Sequence, residues 1–174
     1  MLTVCTYDSL LKFSCFTIVD IEVSGMDKTD KIIEIGAIKV INGKSVQRFH
    51  SFVRSDVEYD ESTLRFLGIA EDSLLNAPDT SSILQAFKDF AGNDVLLTNN
   101  APFTVFYLNG ESIRCNIAFD NKVIDMCTAV NLPHPRSVKK YASEMNISVT
   151  DDGSVCNSLD LIEKILRKSS FIHD

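Results

Sequence analysis

Phe16-Thr17-Ile18-Val19-Asp20-Ile21-Glu22-Val23-Ser24-Gly25 is the stretch whose reading decides the fold. Its first four residues are β-branched or aromatic, two carboxylates follow at alternate positions, and a glycine closes the segment. This predicts a buried strand that delivers Asp20 and Glu22 at its end. Side chains alternate across a strand, so the two carboxylates leave the sheet on the same side and repel one another unless a cation lies between them. A hard divalent ion such as Mg²⁺ or Mn²⁺, which takes oxygen ligands, is the simplest occupant. Taken alone, the same residues also describe an ordinary strand end running into a polar turn.

Working outward, a polar loop (Met26 to Lys31) leads into two β-rich runs, Ile32 to Ile41 and Lys44 to Val53, joined by Asn42-Gly43. Both turn residues tolerate positive φ, so the pair reads as a hairpin and three antiparallel strands come first. The pattern then becomes helical. Asp60 can cap a helix over Glu61 to Leu67 that stops at Gly68, and Asp79 or Thr80 can cap a second that stops at Gly92, with Ile83, Phe87 and Phe90 as its apolar stripe. Val95 to Thr98 and Lys122 to Asp125 read as short strands, Pro102 suits the first turn of a helix, and further helices are predicted over Ser137 to Met145 and Ser158 to Lys168. Phe171 to Asp174 reads as a loose tail. A hairpin-led sheet followed by alternating helices and strands is an α/β layer fold, in which ligands gather at the carboxyl ends of strands.

The 174 residues suit a single domain, long enough to bury a substantial core. A net charge of −7 provides no whole-surface basic footprint for coating nucleic acid, although a carboxylate-rich metal site makes a protein acidic while its ions supply positive charge locally. Cys5, Cys15, Cys115, Cys127 and Cys156 are scattered without C-x-x-C spacing and read as reduced thiols, the pattern of a cytoplasmic protein. The first residues lack a signal-peptide pattern, and no apolar run approaches membrane-spanning length, so no membrane partner is expected.

The order of motifs resembles the DnaQ-like DEDD (DEDDh type) 3′-to-5′ exonuclease family, which includes the proofreading epsilon subunit and exonuclease domain of bacterial DNA polymerase III. Six blocks carry the likeness in family order: V-D-I-E-V-S-G, I-I-E-I-G-A-I-K-V with N-G-K, L-G-I-A-E-D-S-L-L-N-A-P, L-T-N-N-A-P-F-T-V-F-Y-L-N, K-V-I-D-M and S-V-K-K-Y-A. The match spans about residues 15–168 of one domain, 1–174, with 1–14 as an N-terminal extension and 169–174 as a tail. The resemblance implies a ribonuclease H-like mixed five-stranded sheet, three antiparallel strands first and then parallel ones, flanked by helices. It also implies two divalent ions held by four acids, with a histidine accepting a proton from the attacking water.

Carried over by position, the first-motif acids are Asp20 and Glu22, and Asp160 fits the third-motif acid. Thr104 follows Phe103 where the second-motif acid belongs, and Val155 stands five residues before Asp160, where the histidine belongs. The implied metal ligands are therefore Asp20, Glu22 and Asp160, suited to one Mg or Mn ion at reduced affinity, or to none. The resemblance places Val23, Ser24, Gly25, Asn100 and Phe103 at the substrate. Replacement of the acid and the base implies an inactive or strongly impaired centre that serves as a binding module. Its partners would be single-stranded DNA or RNA 3′ ends, a DNA polymerase or another replication or repair protein. The competing expectation is an active, metal-dependent 3′-to-5′ exonuclease with an altered site. Asp160 has a plainer reading as well, since a carboxylate in the first turn of a helix capped by Asn157 is favoured by the helix dipole. Two basic clusters, Arg136, Lys139, Lys140 and Lys164, Arg167, Lys168, read either as phosphate contacts or as solvated helix faces. None of His50, His134 and His173 matches the position of the family's base.

Overall fold

The computed structural model describes residues 1–5, 13–25, 27, 29–54, 57, 59, 61–130, 137–149 and 153–173. Asp60, His134 and Arg136 lie outside these residues. The elements, in chain order, are β1 (Thr3–Val4), β2 (Cys15–Val23), β3 (Ile32–Ile41), β4 (Lys44–Phe52), α1 (Glu61–Leu67), α2 (Glu71–Leu75), α3 (Thr80–Ala91), β5 (Val95–Thr98), α4 (Ala101–Cys115), β6 (Lys122–Asp125), α5 (Met126–Ala129), α6 (Val138–Glu144) and α7 (Val155–Lys168). The strands form one mixed sheet in the order β1-β6-β5-β2-β3-β4. β2, β3 and β4 are antiparallel, while β5 and β6 extend the sheet in parallel from β2. The sheet has six strands instead of the expected five, because Thr3 and Val4, in the predicted extension, pair in parallel with Lys122 and Val123.

Asn42 and Gly43 both have positive φ, 49° and 74°, as the hairpin reading requires. β3 is buried on both faces from Ile32 to Ile38, which places it between two helical layers. On one face Phe16, Ile18, Ile38, Val40, Leu97 and Ile124 pack against α5, α6 and α7. On the other, Val19, Ile21, Ile35, Ala37 and Leu96 pack against α3 and α4. By alternation Asp20 and Glu22 continue the row of Phe16 and Ile18, so they project toward the layer that holds α7. Among the described residues, no helix is long and apolar enough to cross a membrane.

α7 crosses this face at Gly36, which pairs with Asp20 across β2 and β3. A Cβ built on Gly36 would lie 2.3 Å from Val155 Cγ1 and 2.7 Å from Leu159 Cδ1. The missing side chain is therefore what lets the helix reach the sheet. The helix begins three residues earlier than predicted, because Ser154 caps it by accepting the Asn157 N–H at 3.2 Å. Nor is the tail loose. Ile172 is buried, and the His173 N–H donates to the Gly43 carbonyl at 2.6 Å.

Gly36→Ala overpacks this contact and is expected to cost about 1–3 kcal/mol of stability, measured as a lowered midpoint in urea. Adding Val155→Ala should recover part of that loss, a non-additivity that a double-mutant cycle reads directly.

Candidate functional site

Asp20 and Glu22 sit at the carboxyl end of β2, both half-buried. Glu22 stands directly opposite Glu34 in the β2–β3 register, so three carboxylates share one face of the sheet. Burial pushes the Asp20 carboxyl up to about 6. A side-chain hydrogen bond from Ser158 and one from the Ile21 backbone oppose the rise, and the charge of Glu34 adds to it. Glu22 is pushed further, to about 8, by burial first and then by the negative charges of Asp20 and Glu34, against the pull of Lys139. Between those values the pair holds one proton between them.

The residue of α7 that meets Asp20 is Ser158. Asp160 is turned away: Arg48 Nη1 of β4 donates to Asp160 Oδ1 at 2.6 Å, and Arg48 Nη2 donates to Glu163 Oε2 at 2.6 Å. The expected third ligand is thus not brought to Asp20 and Glu22, because the cap at Ser154 places Asp160 in the second turn of α7. Five residues before Ser158 stands Gly153, with φ of 74°, where a Cβ would lie 2.7 Å from the carbonyl oxygen of Phe66. Val155 is buried against Gly36, away from solvent.

Thr104, in the first turn of α4, is engaged with a neighbouring strand. Its buried hydroxyl shares a 2.8 Å hydrogen bond with Thr98 at the end of β5. Asn100 caps α4, its side chain accepting the Phe103 N–H at 3.3 Å. Ser24 shapes the turn after β2, donating to Asp30 Oδ1 at 2.9 Å and accepting the Lys31 N–H at 3.1 Å. Tyr107 of α4 holds the same loop by donating its hydroxyl to the Asp27 carbonyl at 3.0 Å.

Beside these residues runs a cleft of about 320 Å³ that includes Glu22, Val23, Gly25, Phe66 and Phe103. A smaller one of about 90 Å³, which includes Lys139, Gly153 and Ser158, shares Glu22, Phe66 and Leu67 with it. Glu22 therefore lies where the two meet. Phe66 on α1 is 79% exposed, and Phe103 packs on Tyr107 with ring centroids 4.8 Å apart. Sequence reasoning passed over Phe66, Glu34 and Ser158. The apolar Phe66 on the polar side of a short amphipathic helix was the one available signal.

The family model for the RNase_T exonuclease domain matches residues 17–160. Among curated relatives, the PolC-type DNA polymerase III of Caldanaerobacter subterraneus subsp. tengcongensis is 33% identical over 111 residues, 63% of this chain and 8% of that polymerase. The PolC-type enzyme of Oceanobacillus iheyensis is 35% identical over 95 residues, 54% of this chain and 7% of the polymerase. The chain thus spans less than a tenth of the length of these relatives. Among solved structures, the nuclease domain of 3′hExo, a DEDDh family member bound to rAMP, superposes with a TM-score of 0.74. It is 15% identical, covering 96% of this chain and 98% of that one, and shares the fold.

Because Asp20 and Glu22 carry raised values, the folded state binds more protons than the unfolded chain from about pH 4 up to about pH 8. Their contribution to stability is present below the unfolded values and is lost as pH rises through 6 and 8. With EDTA present, Glu22→Gln is expected to melt close to wild type at pH 4 and several degrees above it at pH 8.5, read by thermal scans across that range.

Proposed function

The chain belongs to the DnaQ-like RNase_T exonuclease family, and from that premise we propose that it binds nucleic-acid 3′ ends with a cleavage centre that is inactive or strongly impaired. What carries this reading is the group that faces Asp20. It is a serine, Ser158, and the position after Phe103 is a threonine turned onto Thr98. Two of the family's four carboxylates remain, and neutral hydroxyls stand for the others.

Two acids and hydroxyl oxygens fit a single hard dication, with Asp20 and Glu22 as its holders. The demand for positive charge is visible in the rise of Glu22 to about 8, driven by burial and by neighbouring carboxylates. When bound, Mg²⁺ or Mn²⁺ would supply a Lewis acid to a phosphate oxygen. Asp160, committed to Arg48, is not among the holders in this reading. Among the described residues no histidine lines the cleft beside Ser158, and Gly153 stands five residues before it, the spacing the resemblance gives the family's base; such a group is typically worth about 10² to 10⁴ in rate.

Binding does not need those lost groups. Val23 and Gly25 border the cleft with Phe66 and Phe103, whose rings offer stacking surfaces to the terminal bases of a DNA or RNA single strand. Ser24 and Asn100 fix the two backbone turns beside it. Lys139, near enough to lower Glu22, is the local counter-charge for a terminal phosphate. The likeness to PolC-type polymerases supports action beside a DNA polymerase, and five free thiols accord with a cytoplasmic setting.

A 5′-labelled single-stranded oligonucleotide with Mn²⁺ tests the reading. The natural chain is expected to bind it without shortening it, while Thr104→Asp with Ser158→Asp should shorten it detectably. Processive shortening by the natural chain, abolished by Asp20→Ala, would instead establish an active exonuclease with an altered site. In the same system Phe66→Ala should weaken binding by about 1–3 kcal/mol, roughly 5- to 150-fold in Kd, measured by fluorescence anisotropy.

A further inference from the structure

Glu34 of β3, His50 of β4 and Cys156 of α7 converge behind the Asp20–Glu22 pair. One ligand atom from each lies within 4.8 Å of the other two. His50 Nε2 is 2.7 Å from Glu34 Oε1, and the edge of Phe52 supports the imidazole with ring centroids 5.3 Å apart. Glu34 itself is 1% exposed, and its second carboxylate oxygen, Oε2, is buried with no hydrogen-bond partner. A buried carboxylate oxygen without a donor is costly, so Glu34 favours a cation or donor beside it. Arg48 does not supply it, because its guanidinium is divided between Asp160 and Glu163.

We propose that Glu34, His50 and Cys156 bind a transition-metal dication of the zinc class. Carboxylate oxygen, imidazole nitrogen and thiolate sulfur are the donors of zinc sites that keep three protein ligands and one open position. A sulfur donor disfavours Mg²⁺, which demands oxygen ligands, so this site and the Asp20–Glu22 pair select different ions. Zinc bonds of about 2.0–2.3 Å put tetrahedral ligand atoms roughly 3.5 Å apart. The His50–Glu34 contact of 2.7 Å must open to reach that value, and the three ligand atoms already lie within 4.8 Å of one another. His50 and Cys156 are exposed and Glu34 is buried, so adjustment falls to the first two. Cys156 lies in the first turn of the 14-residue helix α7, where the helix dipole favours the thiolate that a metal requires. Binding releases the thiol proton to solvent.

This inference is independent of whether the neighbouring site cuts nucleic acid. Metal-free protein titrated with Co²⁺ is expected to develop a thiolate-to-cobalt charge-transfer band that saturates at one ion per chain and is bleached by stoichiometric Zn²⁺. Cys156→Ala should abolish the band, His50→Ala should weaken Zn²⁺ binding at least tenfold, and Asp20→Asn should leave the band in place. Cys156 and His50 are exposed, so these variants are expected to keep the fold, which circular dichroism checks. No charge-transfer band in the natural chain would overturn the proposal. A band that persists in Cys156→Ala, or one lost in Asp20→Asn, would overturn it equally. Oligonucleotide binding and cleavage are read separately with Mn²⁺, so failure of one reading leaves the other standing.

Discussion

At Gly36 the last helix comes closer to the sheet than any side chain would permit, and the arrangement of the whole carboxylate face follows from that approach. Val155 and Leu159 fill the space that a Cβ would occupy, which sets both the height and the rotation of α7. With those two residues pointing down, Ser158 is carried toward Asp20, while Asp160 is carried outward to the edge strand and Arg48. The identity of the group facing the first carboxylate is therefore decided by packing at its partner residue on the neighbouring strand. A helix held higher by an alanine could turn, and the same sequence would then present a different side chain.

The carboxylate face is electrostatically unbalanced as a result. Asp20, Glu22 and Glu34 crowd one side of the sheet, and the arginine that could compensate them is committed to α7. Protonation resolves part of the conflict at Glu22, whose value rises to about 8, and a donor from Ser158 resolves part at Asp20. At Glu34 the imidazole of His50 satisfies one oxygen and leaves the other bare. In the proposed reading the demand for positive charge falls on two chemically distinct donor sets, hard oxygen at Asp20 and Glu22 and mixed oxygen, nitrogen and sulfur at Glu34, His50 and Cys156.

Much of this was legible in the chain. The alternation around Asp20 and Glu22, the Asn42-Gly43 turn and the stripe of Ile83 and Phe87 correspond to elements of the structure. Several features were not legible, each for a local reason. Asn157 and Ser154 are both good caps, and choosing the nearer one shifted α7 by three residues, which put Asp160 in the first turn and hid Ser158. The second lies in the hairpin. Counting back from the turn, Ile41 pairs with Lys44 and Val40 with Ser45, a register that would set Phe49 opposite Gly36. A bulge at Lys39/Val40 skips Val46, so His50 takes that place and joins the face of Glu34. One inserted residue decides which side of the sheet a histidine occupies, and no periodicity announces it. The pairing of Thr3 and Val4 escaped for a simpler reason, since a two-residue strand has no period to detect.

The closing segment of the chain ties these parts together mechanically. From the last turn of α7, Arg167 donates to the His173 carbonyl, the His173 amide donates to the hairpin at Gly43, and the His173 ring lies against the same glycine. The helix that sets the carboxylate face is thereby fastened at its far end to the tip of the strands that carry Glu34 and His50. Opening of the β3–β4 hairpin and undocking of α7 become a single cooperative event. The amides of Gly43-side residues and of α7 would then share one protection factor in hydrogen exchange, and the two candidate ion sites would appear and vanish as one unit.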